Sequence, residues 1–184
     1  MPRRPRIHVP GSLHHVTAHS IDARRLYIDD HDRWHFLGIL DAVTRETRWR
    51  GLSFCLMDTH YHLLIEERDL PMSRSMRLLN GRYATGFNDR HDRRGHVFEG
   101  RYRDRPVADD AHLLLALRYL ALNPVEVGAY ARPQDWPWSS YGQLIGVSRG
   151  WSFVSTAWTL SLFAPQPQRA IEIVRQFVES VPGT

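Results

Sequence analysis

Ser53-Phe54-Cys55-Leu56-Met57-Asp58-Thr59-His60-Tyr61-His62-Leu63-Leu64-Ile65-Glu66 is the stretch on which the fold turns. Two short apolar runs, Ser53 to Met57 and His60 to Glu66, flank the polar pair Asp58-Thr59, and this pattern reads as a β-hairpin. Side chains alternate faces along a strand, so His60 and His62 project together while Tyr61 and Leu63 point the other way. Two imidazoles about 6–7 Å apart on one face can converge on a single divalent ion. A plain apolar face would not select them, because each buried ring needs a hydrogen-bond partner. The pair alone is weak, since a chain with 11 histidines produces such spacings by chance. A zinc hydrolase motif of the His-x-His-x-Asp-His kind is excluded, because Leu63, Leu64 and Ile65 follow.

Upstream of the hairpin, Leu13 to His19 reads as a strand. A helix is expected from about Asp30 to Trp49, with Trp34, Leu37, Leu40 and Val43 forming its apolar face. Downstream, a helix runs from about Pro71 to Asn88, with Met72, Met76, Leu79, Tyr83 and Phe87 three or four apart. His96 to Val107 alternates aromatic and basic side chains and reads as a further strand. Asp109 is a plausible N-cap for a third helix that runs to Asn123 and ends at Pro124. This order, strand–helix–hairpin–helix–strand–helix, predicts an α+β domain with an antiparallel sheet and helices packed on it. After Gly128 the composition shifts to a turn-rich stretch around Trp136 and Trp138. The tail carries one more helix, Ala170 to Val181. Residues 1–130 are therefore expected to form the main body, and 131–184 a C-terminal helical extension packed on it, in a single domain overall.

The formal charge is +4, with 24 Lys+Arg against 20 Asp+Glu, and the positive charge is carried by arginine. Arginine binds phosphate through a planar fork and stacks on bases, which fits a nucleic-acid partner. The arginines concentrate in the segment from Arg90 to Arg105, where Arg93, Arg94, Arg101, Arg103 and Arg105 accompany His96, Phe98 and Tyr102. Arginines tracking a phosphate backbone with aromatic rings stacking on unpaired bases is the physics of single-strand binding. A charged, solvated strand edge is the alternative. The arm containing Arg3 and Arg4 adds candidate phosphate contacts. Cys55, the single cysteine, sits in an apolar run and reads as a buried thiol. The longest apolar stretch, Leu113 to Leu122, contains Arg118 and is too short to cross a bilayer. No secretory signal pattern opens the chain, so the expected location is cytoplasmic, at the nucleoid.

On the third helix, Tyr119 and Asn123 stand one turn apart on one face, with His112 two turns before Tyr119. A tyrosine in a Leu-rich helix is ordinarily core. As a nucleophile, a phenol with a pKa of about 10 needs help. A metal that polarises the scissile phosphate or stabilises the phenolate would supply it.

Several motifs in one order then bring a family into view. They are Pro10-Gly11-Ser12-Leu13-His14-His15-Val16-Thr17, the run from Cys55 to Leu64, Gly95-His96-Val97-Phe98-Glu99-Gly100-Arg101-Tyr102, Arg118-Tyr119-Leu120-Ala121-Leu122-Asn123-Pro124-Val125, and Trp136-Pro137-Trp138-Ser139-Ser140-Tyr141. The chain resembles the REP-associated tyrosine transposases, a branch of the HUH single-tyrosine, IS200-like transposases. The resemblance implies a ferredoxin-like sheet carrying the His60/His62 pair, with Tyr119 as nucleophile on a helix behind it and Asn123 as third metal ligand. It implies attack on a phosphodiester to leave a 5′-phosphotyrosine and a free 3′-OH, with Mg²⁺ or Mn²⁺ as cofactor. The implied partners are single-stranded DNA and DNA hairpins of the repeated extragenic palindrome type, met by a monomer or homodimer. The chain departs from the pattern at Thr59, where such proteins often carry Asn. Two competing readings are a hairpin-binding protein that does not cut, and a phosphodiesterase in which water attacks and Tyr119 only packs.

Overall fold

The computed structural model describes residues 8–180. Four strands form one antiparallel sheet: β1 (Leu13–His19), β2 (Arg50–Leu56), β3 (His60–Glu66) and β4 (Arg103–Pro106), in the order β2-β3-β1-β4. The hairpin is as read from sequence, with β2 and β3 joined at Asp58-Thr59 and Met57 N–H donating to the His60 carbonyl at 2.8 Å. The register sets Thr17 opposite His62 and His19 opposite His60, while Arg103 and Arg105 of β4 lie opposite Thr17 and His15. Because opposed residues share a face, one side of the sheet carries histidines and arginines. The other side carries Val16, Ala18, Tyr61 and Leu63, all buried.

Helices α1 (Asp30–Thr47) and α2 (Met72–Arg90) cover that apolar side. Tyr61 packs on Phe36 of α1 with ring centroids 4.7 Å apart and bonds Asn80 of α2 through its hydroxyl. The Asp29 carboxylate caps α1 through Asp32 N–H, and buried Glu67 accepts the Met72 N–H at the start of α2. The two helices approach closely where Gly86 meets His35. A β-carbon at position 86 would stand 2.5 Å from the His35 Nε2, so any larger residue there would push the His35 ring aside. The buried face of α1 runs through Phe36, Leu37, Leu40, Val43 and Thr47. Trp34, expected on that face, is 57% exposed and leans against Trp138 and Trp151 instead. A 34-37-40-43 spacing drifts around a 3.6-residue helix, and Phe36 takes the place it leaves.

Helix α3 (Asp110–Glu126) crosses the opposite, polar side of the sheet, with Asp109 capping it through His112 N–H at 2.8 Å. It continues past Pro124, where sequence reading ended it. A proline in the last turn removes only its own N–H, and Val127 N–H still reaches the Asn123 carbonyl. Beyond it come the short helices α4 (Tyr141–Leu144) and α5 (Thr156–Ser161), then α6 (Pro167–Glu179). Trp136, Trp138, Phe153 and Val154 join the main core, and Tyr141, Leu160, Val174 and Val178 form a second cluster with Ala121 of α3.

The expected strand from His96 to Val107 is mostly loop. Only Arg103–Pro106 pairs continuously, and Phe98 makes a single bridge to Ser20. Positive φ at Asp92 and Gly95 turns the chain before that point. Phe98 and Tyr102 are buried, with Phe98 against Tyr61 and Tyr83, so these rings are core and do not offer stacking faces to DNA. Aromatic–basic alternation produced the strand expectation, and the apolar half of that alternation is explained by burial against α2. Among the described residues, no helix is long and apolar enough to cross a membrane.

Candidate active site

Strand alternation and the β1–β3 register bring His15, Thr17, His19, His60 and His62 to one patch of the sheet. Arg103 and Arg105 border it, and α3 roofs it with His112, Leu115, Ala116 and Tyr119, enclosing a cavity of about 440 Å³. The four residues singled out for chemistry converge here. The His60 and His62 rings are 4.9 Å apart at nearly a right angle, and the Tyr119 ring stands edge-on to His62 at 5.3 Å. Asn123, one turn beyond Tyr119, is buried with its amide beside His60.

Tyr119 is 41% exposed, although the same helix buries Leu113, Leu117 and Leu120. That separates it from Tyr83, which is fully buried with its hydroxyl on the Leu26 carbonyl at 2.5 Å, and from Tyr61, which lies on the other face; Tyr130, 39% exposed, lines a separate cavity with His60.

The imidazoles are held neutral. Burial, then the neighbouring His60, His15 and His19, pushes His62 down to about 2. Burial and His19 bring His60 to about 4 against the opposing Asn123 amide. Burial, Arg105 and His112 lower His15 to about 4. A neutral imidazole has a lone pair to give, which is the state a cation needs. Two buried polar atoms in this cluster, His62 Nε2 and Asn123 Oδ1, have no hydrogen-bond partner among the described residues. Orphaned buried acceptors are costly, and here they face a cluster whose donor set of two imidazole nitrogens and an amide oxygen suits a divalent cation.

The other ring nitrogens are tied down. His62 Nδ1 meets His15 Nε2 at 2.9 Å and Thr17 Oγ1 at 3.3 Å, and the Thr59 hydroxyl meets His60 Nδ1 at 3.2 Å. Such contacts fix which nitrogen points inward. Thr59 thus gives its position a hydrogen bond to the first histidine. His15, Thr17 and His19 escaped the sequence reading, although the His15-x-Thr17-x-His19 alternation was visible. His19 stacks on His60 with centroids 4.8 Å apart.

The basic segment divides. Arg103 and Arg105 line the cavity and are exposed. Exposed Arg101 lies in a neighbouring depression that shares Thr17, His19 and Arg103. Arg93 packs over Phe87, and Arg94 and His96 sit on the exposed loop after α2, outside the cavity lining. Arg3 and Arg4 fall outside the described residues. Asp29, His31 and Asp32 also bring ligand atoms within 4.8 Å of one another. Their carboxylates are already engaged: Asp29 and Asp32 hold Arg90, and Asp32 also holds His91 at 2.9 Å. That cluster clamps α1 to α2.

Comparison with known proteins bears on the fold and the family. A solved REP-associated tyrosine transposase bound to a REP hairpin superposes with a TM-score of 0.67 at 15% identity, covering 81% of this chain and 89% of its own. A provisionally assigned transposase from Deinococcus radiodurans R1 superposes with a TM-score of 0.47 at 12% identity, covering 70% of this chain and 98% of its own. No curated protein sequence matches the chain. The family model described as "Transposase IS200 like" matches residues 12–122, more than half of the chain, and the chain belongs to that family.

Proposed function

We propose that the protein is a divalent-metal-dependent nuclease and strand-transferase acting on single-stranded DNA beside a hairpin, with Tyr119 as nucleophile. The observation that carries this reading is the exposed phenol of Tyr119 standing edge-on to His62 in the cavity that His60 also lines. The hairpin assignment is supported by the structural neighbour bound to a REP hairpin.

His60, His62 and Asn123 would hold the cation, and a bound Mg²⁺ or Mn²⁺ supplies positive charge that makes the phosphorus more electrophilic. Arg103 and Arg105 bind the backbone phosphates that lead into the cavity. The Tyr119 oxygen attacks the phosphorus and gives up its proton to solvent as the O–P bond forms. The bond to the 3′-oxygen breaks, and that oxygen takes up a proton to leave a 3′-OH. The new phosphotyrosine conserves the phosphodiester bond, so attack by a 3′-OH reverses the step, rejoins DNA and returns Tyr119. No nucleotide cofactor is required.

The test is a 5′-labelled and a 3′-labelled hairpin oligonucleotide incubated with protein and Mg²⁺, then resolved under denaturing conditions. Label retained on the protein only from the fragment 3′ to the cut supports the reading. Clean nicking with no adduct would replace it with attack by water. Binding with neither nicking nor adduct would leave a hairpin-binding protein.

A further inference from the structure

A second cavity of about 570 Å³ has His60 but not Tyr119 in its wall, and is lined by Arg33, Met57, Asp58, Tyr130, Trp136 and Trp138 among others. His60 lines both cavities, so the two adjoin at that side chain. The size falls in the range of small-ligand pockets. Its walls are aromatic and apolar: Met57, Trp136 and Trp138 are buried, and Tyr130, half exposed, packs on Trp136 with centroids 5.1 Å apart.

Its polar groups are specific. The Arg33 guanidinium is sandwiched among Tyr27, Trp136 and Trp138 at 5.4, 5.7 and 5.5 Å. It bonds Asp58 Oδ1 at 2.5 Å and Asp30 Oδ1 at 3.3 Å, and its buried Nε has no partner among the described residues. One guanidinium against two carboxylates leaves this cavity net acidic, which disfavours a phosphate. The cavity over Tyr119 has the opposite balance, with Arg103 and Arg105 at its edge. Phosphate on one side of His60 and a neutral, flat, hydrogen-bonding ring on the other is the division that a nucleotide chain would fit.

We propose that this second cavity binds one unpaired nucleobase flanking the scissile phosphate, with Tyr130 as its stacking platform and Asp58 as an acceptor for a base N–H. The proposal rests on the single-strand nuclease reading above. Every base has a π-face and an N–H edge, so the site would anchor the strand at the cut rather than read it alone.

The experiment measures Kd by fluorescence anisotropy in the Tyr119→Phe background with Mg²⁺, using hairpin oligonucleotides with single-stranded flanks. Flanking bases are replaced one at a time by abasic sites. One abasic position next to the cut should weaken binding about tenfold, the scale of one base–aromatic stack. Adding Tyr130→Ala should weaken binding of the intact oligonucleotide to a similar extent and erase the abasic penalty at that position, while Tyr130→Phe should restore both. Asp58→Asn provides a second cycle if Tyr130→Ala lowers the melting temperature. Abasic penalties unchanged by either variant, with binding and wild-type cleavage intact, would overturn the pocket and leave the nuclease reading standing. Failure of every hairpin oligonucleotide to bind would overturn both.

Discussion

His15 Nε2 lies 2.9 Å from His62 Nδ1, a contact between adjacent strands that leaves His62 Nε2 as the nitrogen directed into the site. An outer-shell partner that orients a metal-ligating histidine typically carries 10- to 100-fold in metal affinity. His15→Ala should therefore raise the Mn²⁺ concentration needed for half-maximal cleavage by about 10- to 100-fold. Cleavage at saturating metal should largely return. A metal dependence equal to wild type would show that Thr17, at 3.3 Å, is enough to orient the ring.

On the proposed reading, in which these side chains position the cation and arginines supply the affinity, His60→Ala and His62→Ala should remove cleavage while leaving hairpin affinity nearly intact. Gel-shift and nicking assays on the same preparation check both halves. Cutting at wild-type rate by either variant, after chelator treatment and restored Mg²⁺, would contradict the ligand assignment.

Arg103 and Arg105 project to the histidine face because each lies opposite a β1 residue of that face. Replacing both with alanine should lower the slope of log K against log salt by about 1.4 to 1.8, from roughly 0.7 to 0.9 per phosphate contact. The loss should be similar across flanking sequences, since phosphate contacts carry no base information. An unchanged slope would place the strand elsewhere on the surface.

Much of this architecture was legible in the sequence, and the failures have physical causes. Period-two and period-3.6 patterns placed β1, the β2–β3 hairpin, α2 and the N-cap of α3, because in those elements one face is buried and the other is not. The strand through Phe98 and Tyr102 went wrong because alternation of aromatic and basic residues has two explanations. Long-range burial against Tyr61 and Tyr83 decided between them. Trp34 was misplaced because a 34-37-40-43 spacing drifts off the buried face of the helix, and its exposed ring leans on Trp138 and Trp151. At the site, His60, His62, Tyr119 and Asn123 were visible as spacings. His15 and His19 were not, because their role depends on the β1–β3 register.

Tyr83→Phe provides the structural control. The hydroxyl is buried on the Leu26 carbonyl, and removing it leaves that acceptor unsatisfied. Denaturant unfolding should show a loss of about 1 kcal/mol, the scale of a neutral buried hydrogen bond. The yield of covalent DNA adduct should match wild type. A stable, fully folded Tyr83→Phe that no longer forms adduct would point to the wrong tyrosine.

The most direct measurement is the covalent adduct itself, read for wild type and Tyr119→Phe under denaturing electrophoresis with a hairpin oligonucleotide labelled on the 3′ side of the cut. The half-exposed Tyr119 ring contributes little to the core, so the variant should melt within a few degrees of wild type and bind the hairpin with similar affinity. It should form no adduct and make no nick, because among the described residues Tyr119 is the tyrosine that lines the cavity shared by His60 and His62, while Tyr130 shares only the second cavity with His60. An adduct that persists in Tyr119→Phe would contradict the assignment of the nucleophile outright.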